Sequence, residues 1–273
     1  MSFPMTWHFT RRSLITTGFA LAASPGLAQF GRVTQARLRL IKGGIEADGT
    51  RVAGIHITLQ PGWKTYWRHP GDSGIPPDFD WTRSENLKLA EVSFPAPERV
   101  RDGAGEILVY RREVVLPVRA VPIDPARPIV LRLDMALGLC EQICIPAELQ
   151  GEIVHDGRST PADVATILQS LVRVPRTVPA GTAVTQWRTT GGGPARTIDF
   201  ATTLPLGVLH AVVEGPEAWQ IPLPVRVATL GDGADHWRIE RLRLGPSNDA
   251  FGAVRVTVFG RSGSVEELRR LDG

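Results

Sequence analysis

The chain has little cysteine and little net charge, and both shortages limit what it can do. Only two of its 273 residues are cysteine, so any thiol chemistry depends on a single pair. The formal net charge is +3, from 31 Lys and Arg against 28 Asp and Glu. So small and scattered an excess gives no reason to expect nucleic acid or an anionic membrane as a partner.

Motifs of several enzyme classes are also missing. The chain has no Gly-x-Ser-x-Gly and no His-Glu-x-x-His sequence, and Asp72-Ser73-Gly74 has no evident histidine partner, so hydrolysis is not expected. The glycine run at 191–194 lacks the spacing and the lysine of a phosphate-binding loop. No stretch after the N-terminal segment approaches 18 apolar residues, so we expect no membrane insertion of the mature chain.

The first 28 residues have the features of a bacterial export signal. Arg11 and Arg12 precede a modestly apolar stretch, and small residues follow where a signal peptidase would cut, near Ala28. Paired arginines before a weak apolar segment indicate the twin-arginine route, with an ordinary secretory signal as the alternative. We therefore expect a soluble protein of the periplasm, an oxidising compartment in which disulfides persist.

The rest of the chain shows the alternation that is typical of β-strands. Arg51–Leu59 has apolar residues at 53, 55, 57 and 59, and the segment 129–137 has one at every second position. A content of 28 glycine and 22 proline fits a protein rich in strands and turns. The same reasoning predicts strands at 34–41, 87–94, 113–121, 148–155, 197–200, 207–214, 225–230, 237–244 and 253–259.

One segment has the helical period instead. Thr160 followed by Pro161 and by Asp163 in the first turn predicts a helix start, and Pro175 and Pro179 predict its end. Apolar residues at 164, 167, 168, 171 and 172 recur at helical spacing. The fold class is therefore predicted to be mainly β. We expect an immunoglobulin-like β-sandwich at 30–157, a linker helix within 158–178 and a second β-sandwich-like domain at 179–273.

Cys140 and Cys144 follow directly on the clearest strand pattern, so we expect them at a strand end or hairpin on a rigid sheet. A disulfide between them would close a loop of about five residues and stabilise the fold by about 2 kcal/mol, less than half the value for a loop of about a hundred. From the residues alone, three interpretations stay open. The pair is a dithiol/disulfide that exchanges electrons with another protein, a structural disulfide, or a Cu(I) site.

Additional ligands for a copper site are few. Such a site would use the sulfurs of Cys140 and Cys144, and Met135 or a histidine is the candidate for a further ligand. His56 and His69 are weak candidates, because a lone strand histidine is more often packed than ligating. The aromatic and polar run at 62–74 is predicted to form either a surface beside the thiols or a core tryptophan followed by a turn. No cofactor is expected apart from the redox-active disulfide.

Five motifs then occur in a fixed order. They are Tyr66-Trp67-Arg68-His69-Pro70-Gly71-Asp72-Ser73-Gly74-Ile75-Pro76-Pro77, Phe79-Asp80-Trp81, Phe94-Pro95-Ala96-Pro97, Tyr110 with Glu113-Val114-Val115-Leu116-Pro117, and Cys140-Glu141-Gln142-Ile143-Cys144-Ile145-Pro146. Over about residues 35–155 the chain resembles the periplasmic N-terminal region of the DsbD and ScsB thiol:disulfide interchange proteins. Residues 180–273 resemble the second β domain of the ScsB type through weaker motifs.

The resemblance implies an immunoglobulin-like domain in which Cys140 and Cys144 form the catalytic redox pair. Such a pair takes electrons from a thioredoxin-like or membrane electron-donor protein and passes them to oxidised periplasmic protein substrates. The resemblance also implies that the segment 102–110 caps the site. The residues expected to surround it are Tyr66, Trp67, Asp72, Tyr110, Glu113 and Pro146. The sequence does not tell which cysteine attacks first.

Two departures from the family carry further expectations. Full-length members continue into a membrane-embedded carrier and a thioredoxin-like domain, and this sequence contains neither. We therefore expect either that a separate membrane protein supplies electrons or that the domain has been turned to another use. The three residues between Cys140 and Cys144 are fewer than in the single-domain branch, which favours the ScsB branch, associated with copper tolerance. A Cu(I)-binding protein and a non-redox interaction domain with a structural disulfide stay as alternatives.

Overall fold

The computed structural model describes residues 34–270 except 104, 192–195, 217–218, 232, 241 and 243–252, and the side chain of Asp102. The predicted export signal at 1–28 lies outside the described residues, as does most of the glycine run at 191–194. The residues described all belong to one unit of the chain. No helix within them is long and apolar enough to cross a membrane.

Residues 36–155, called here the first β part, form two antiparallel sheets around one core. In chain order the strands are β1 (Ala36–Ile45), β2 (Arg51–Leu59), β3 (Lys64–Gly71), β4 (Asp78–Asp80), β5 (Leu87–Val92), β6 (Glu98–Asp102), β7 (Gly105–Arg111), β8 (Glu113–Pro122), β9 (Ile129–Cys140) and β10 (Cys144–His155). One sheet has the order β1-β2-β8-β5. The other has the order β10-β9-β3-β7-β6, with β4 paired to β9.

Alternation along β9 decides which of its side chains enter the core. Leu131, Leu133, Met135 and Leu137 are each at most 2% exposed, and they pack against residues of the facing sheet such as Ile55 and Leu116. The strands predicted at Arg51–Leu59 and 129–137 are confirmed. The second of them continues to Cys140, three residues beyond the predicted end.

The helix α1 (Pro161–Leu171) begins as predicted, with the Thr160 hydroxyl accepting a hydrogen bond from the Asp163 backbone N–H. It lies against the first sheet through Ile167, where Gly54 leaves room because a Cβ would stand 3.1 Å from the Ile167 side chain. The remaining apolar stripe of the helix is not buried. Leu168, Leu171 and Val172 are 56%, 38% and 81% exposed.

Residues 176–270, called here the second β part, form two further sheets around a core of their own. The strands are β11 (Arg176–Thr177), β12 (Val184–Thr190), β13 (Thr197–Thr202), β14 (Val208–Glu214), β15 (Val225–Thr229), β16 (Asp235–Ile239), β17 (Ala253–Gly260) and β18 (Gly263–Arg270). Their orders are β11-β18-β17-β14 and β12-β13-β16-β15. The fold is therefore mainly β and immunoglobulin-like, as predicted, with one short helix among the residues that the structure describes. The proposed domain boundaries stay a prediction.

The two β parts touch through both apolar and charged side chains. The ring of Trp67 meets that of Phe259 edge-on at 5.5 Å between centroids. Arg68 donates two parallel hydrogen bonds to Glu214, at 2.9 and 2.8 Å, and a third to Glu266 at 2.9 Å. These three charged side chains are less than a fifth exposed. The strand β3 is thus tied directly to the second β part.

Candidate functional site

The two cysteines close the hairpin between β9 and β10. Cys140 ends β9 and Cys144 begins β10, so the two residues face each other in register, with their Cα atoms 4.1 Å apart and their sulfurs joined in a disulfide. The three turn residues between them are exposed. On its other side Cys140 pairs with Lys64 of β3. Cys140 therefore lies inside the sheet. Cys144 lies on β10, which is an edge strand of this sheet among the residues that the structure describes.

The two halves of the disulfide differ in accessibility. Cys140 is 3% exposed, because it packs with Tyr66, Ile107 and Val109 in a small apolar cluster on the outer face of the sheet. Cys144 is an exposed residue. A thiol that approaches from solvent therefore meets Cys144 first.

A tyrosine hydroxyl contacts the exposed half of the disulfide. Tyr66 Oη lies 3.0 Å from Cys144 Sγ, and Tyr66 itself is only 2% exposed. A disulfide sulfur carries no hydrogen, so the hydroxyl is the donor. The side chain reaches this position because Lys64 is paired with Cys140, and alternation places Tyr66, two residues later, on the same face as both.

Two glycines make room for the Tyr66 ring. A Cβ on Gly74 would lie 2.4 Å from the ring, and one on Gly138 would lie 3.0 Å from it. Gly74 also has φ +119°, a backbone conformation that other residues rarely adopt. The Asp72-Ser73-Gly74 turn is therefore used to pass the chain over the tyrosine ring.

Asp72 fixes the start of β7 beside β3. Its carboxylate accepts a hydrogen bond from the Glu106 N–H at 2.8 Å, and its own N–H donates to the Glu106 carbonyl at 2.8 Å. Gly105 permits this approach, since a Cβ there would stand 2.6 Å from Asp72 Oδ2. Asp72 therefore supports the site indirectly, by holding the start of β7 through the Glu106 backbone.

The segment 102–110, expected to be a capping loop, is for most of its length the strand β7. It pairs with β3 on one side and with β6 on the other. The reason is that residues 107–110 are all apolar or aromatic and are buried on both faces of the sheet. Ile107 and Val109 nevertheless cover Cys140, so the covering role belongs to a strand instead of a loop.

Two aromatic residues expected around the disulfide lie on the opposite face. Trp67 is fully buried in the main core, because it follows Tyr66 in the same strand. Tyr110 is also in that core and donates to the Pro95 carbonyl at 2.6 Å. Burial raises the pKa of Tyr110 well above its usual value. Neither side chain is brought to the disulfide.

The last two expected residues have different positions. Glu113 belongs to β8 in the other sheet, where its carboxylate lies 3.1 Å from His56 Nε2. It does not belong to the site. Pro146 is exposed on β10 two residues after Cys144, so it stays beside the disulfide.

The candidate copper ligands are not gathered around the cysteines. Met135 is buried in the main core, and His56 faces Glu113. Burial lowers the pKa of His69, and the charges that act on it are those of Glu214 and Arg68, at the contact with the second β part. No group of three or more His, Cys, Asp or Glu side chains in the described part is arranged to hold a metal ion.

Sequence reasoning did not name Ile107, Val109 or Gly138 individually, although the first two lie in the segment 102–110 that the resemblance expected to cap the site. The first two gave no distinguishing signal, because apolar residues in a strand are ordinary. Gly138 did give one, since a glycine inside an otherwise regular strand often marks the close approach of another group. Here that group is the ring of Tyr66.

The fold and the site define a mainly β protein of immunoglobulin-like fold that presents a disulfide at the end of a hairpin. Residues 37–154 match the family described as thiol:disulfide interchange protein DsbD, N-terminal. The Cys140–Cys144 pair fits thiol:disulfide interchange.

One solved structure of similar fold covers the second β part as well. The N-terminal periplasmic domain of ScsB from Proteus mirabilis is 19% identical, with a TM-score of 0.63, and the match covers 87% of this chain and 92% of that one. The reduced N-terminal domain of Neisseria meningitidis DsbD is 15% identical over 44% of this chain and 86% of that one, with a TM-score of 0.30. A comparison with curated proteins finds no match.

Proposed function

We propose that this protein exchanges a dithiol for a disulfide with protein partners in the periplasm, through Cys140 and Cys144. The observation that carries the proposal is the asymmetry of the pair, in which an exposed Cys144 is bonded to a buried Cys140. Exchange needs one sulfur that a partner reaches and a second that resolves the mixed disulfide. The family that residues 37–154 match and the periplasmic ScsB domain of similar fold support this assignment.

In one direction the disulfide is reduced. A thiolate of a thioredoxin-like donor attacks Cys144 Sγ, the Cys140–Cys144 bond breaks, and Cys140 leaves as a thiolate that takes up a proton. The donor's second thiol loses its proton and attacks its own sulfur in the mixed disulfide, which releases Cys144 as a thiolate. Two electrons pass to this chain, and the donor becomes a disulfide.

In the other direction the dithiol reduces an oxidised partner. The Cys144 thiolate attacks the partner's disulfide, forms a mixed disulfide and releases one partner thiolate. Cys140 is in register across the hairpin, so its thiolate is placed to attack Cys144 Sγ and release the second partner thiolate. In both directions Cys144 carries negative charge at one stage. The Tyr66 hydroxyl donates a hydrogen bond to that atom, which stabilises the charged form.

The test is the reduction potential of the pair in the purified mature protein, equilibrated with glutathione or dithiothreitol buffers. A value of roughly −180 to −270 mV, in the range of known exchange proteins, supports the proposal. A value below about −300 mV indicates a structural disulfide that resists the glutathione pool and overturns it.

A trapping experiment assigns the two sulfurs. The Cys140→Ser chain keeps the exposed thiol and is expected to accumulate a mixed disulfide with an oxidised thioredoxin-like protein. The Cys144→Ser chain keeps the buried thiol and is expected to accumulate little. Equal trapping by both variants would contradict the assignment of Cys144 as the attacking sulfur.

A further inference from the structure

The strands β6 and β7 form a hairpin with two different faces, called here the cover hairpin. One face carries Val100, Ile107 and Val109, which pack with Tyr66 and Cys140. The opposite face carries the residues that alternate with them, including Leu108, which enters the main core. The cover hairpin is therefore a thin layer with the disulfide on one side.

On the opposite face of the cover hairpin, the face of Leu108, Arg99 joins the hairpin to the second β part. Arg99 Nε donates to Glu106 Oε2 at 2.6 Å, which ties β6 to β7. Its Nη2 also contacts that carboxylate and donates to the Pro224 carbonyl, in the second β part, at 3.1 Å. The Arg99 side chain is only 17% exposed. Glu106 is in turn the residue whose backbone is bonded to Asp72.

A cleft of about 250 Å³ beside Arg99 shows how closely the hairpin and the second β part approach. Arg101 and Glu106 line it from the cover hairpin, and Leu209, Val225 and Arg226 line it from the second β part. Burial would raise the pKa of Glu106, but hydrogen bonds and charges from Arg99 and Arg101 hold it below its usual value. The carboxylate is therefore charged and bound to Arg99 at neutral pH.

We propose that the second β part acts on the exchange reaction through Arg99, a positioning residue that holds the cover hairpin over Cys140 and so confines partner attack to Cys144. This inference rests on the proposed function. Without the cover, a thiolate would also attack Cys140 Sγ, giving a mixed disulfide at Cys140 and releasing Cys144 as the leaving thiolate. A single open sulfur gives one defined mixed disulfide, which the second thiol then resolves.

The test measures how fast each thiol is alkylated in chains that keep only one cysteine. The Cys144→Ser chain reports on Cys140 and the Cys140→Ser chain on Cys144, each with and without Arg99→Met, with iodoacetamide as the probe. We expect Arg99→Met to speed alkylation of Cys140 about tenfold, the rise in hairpin opening that follows from losing the charge-assisted hydrogen bond to the Pro224 carbonyl. Alkylation of Cys144, already exposed, should change less than about twofold.

Hydrogen exchange supplies a readout that is independent of the thiols. The amides of β6 and β7 should exchange faster in Arg99→Met, and Arg99→Lys should restore part of their protection because it keeps the charge. Arg119→Met is the matched control, since it removes a guanidinium bonded to Glu46 and Glu91 in the sheet without the disulfide. It should leave alkylation of both thiols unchanged.

Unchanged alkylation of Cys140 in Arg99→Met, or equal acceleration of both thiols in a chain that keeps its near-ultraviolet circular dichroism, would overturn the inference. If Arg99→Met does not fold, Arg99→Lys decides, because lysine keeps the charge but lacks the planar fork that bonds Glu106 and the Pro224 carbonyl together. A smaller selective acceleration of Cys140 is then expected, and its absence overturns the inference. The proposed function fails separately, on a wild-type reduction potential below about −300 mV.

Discussion

Replacing Tyr66 with phenylalanine should raise the pKa of the Cys144 thiol. The hydroxyl that lies 3.0 Å from Cys144 Sγ is lost, while the ring that fills the space between Gly74 and Gly138 is kept. A hydrogen bond to a charged group contributes about 1.5–3 kcal/mol. The thiolate is charged and the thiol is not, so we expect the thiol pKa to rise by about one to two units.

The exchange rate should change less than the pKa does. At pH 7 a rise of one to two units lowers the thiolate fraction about 10- to 100-fold when the thiol pKa lies above 7. The remaining thiolate is more nucleophilic, by about threefold per unit for a Brønsted slope near 0.45. The net expectation is a rate at pH 7 that is about 3- to 10-fold lower, and a rate at high pH that exceeds that of the parent chain.

The assay is the pH dependence of alkylation in the Cys140→Ser chain, with and without Tyr66→Phe. The matched control is Tyr110→Phe, because Tyr110 is the other tyrosine of the chain and its buried hydroxyl donates to the Pro95 carbonyl on the opposite face. It should lower stability by about 1–3 kcal/mol and leave the thiol pKa unchanged. A Tyr66→Phe chain whose thiol pKa moves by less than about 0.3 unit, or falls, would refute the role assigned to the hydroxyl.

Three further substitutions test the supports of the site. Gly74→Ala adds a Cβ that would lie 2.4 Å from the Tyr66 ring at φ +119°, so urea unfolding should show a loss of more than about 1 kcal/mol, with a rise in the Cys144 thiol pKa. Arg68→Met leaves two partly buried carboxylates without their cation and should cost about 3–5 kcal/mol by the same measurement. In His210→Phe the loss of stability between pH 7 and pH 4.5 should be smaller than in the parent chain by about 2–3 kcal/mol.

The sign of the last prediction follows from the pKa of His210, which burial lowers from 6.5 to about 4. As the pH falls below 6.5, His210 becomes protonated in the unfolded chain but stays neutral in the folded chain. Stability is therefore lost between pH 6.5 and about pH 4, the pKa values of the unfolded and the folded chain. Phenylalanine keeps the ring stacked on Phe259 and removes the titration. An identical pH dependence in both chains would contradict this account.

Two control substitutions serve these tests. One separates the clash with the Tyr66 ring from backbone strain, and the other separates partly buried ion pairs from exposed ones. Gly207 also has a positive φ, +88°, but nothing lies within 4 Å of its Cβ position, so Gly207→Ala has the backbone strain of Gly74→Ala without the collision. Equal losses from both alanines would contradict the argument for the ring. Arg119→Met should cost far less than Arg68→Met, because Arg119 is 43% exposed and its ion pairs are screened by solvent.

The strands and the hairpin of the cysteines were predictable because their signals are local. Alternation within Arg51–Leu59 and 129–137 reflects burial of one face, which each segment records in its own residues. The cysteines follow directly on the second of these patterns, so a position at the end of a strand could be predicted before any partner strand was known. The helix start at Thr160 was predictable for the same reason, since capping depends on the next three residues.

The surroundings of the disulfide were not predictable, because they depend on register between distant strands. Lys64 is opposite Cys140, and Tyr66 is opposite Val109, although these pairs are far apart in the sequence. A shift of β3 by one residue would exchange the faces on which Tyr66 and Trp67 lie. The sequence shows that two aromatic residues are adjacent, and it does not show which of them reaches the sulfur.

Because of that alternation, the two adjacent aromatic residues of β3 make contacts on opposite faces of the sheet. Tyr66 donates to Cys144 Sγ on the outer face, whereas Trp67, the next residue, meets Phe259 of the second β part, and Arg68 follows with a bond to Glu214. Consecutive strand residues rise only about 3.3 Å, so the hydrogen bond to the sulfur and the contact between the β parts begin within about 7 Å of one backbone. A shift of β3 that loosens one contact must therefore move the other. The second β part is thus joined to the disulfide by β3 itself as well as by Arg99.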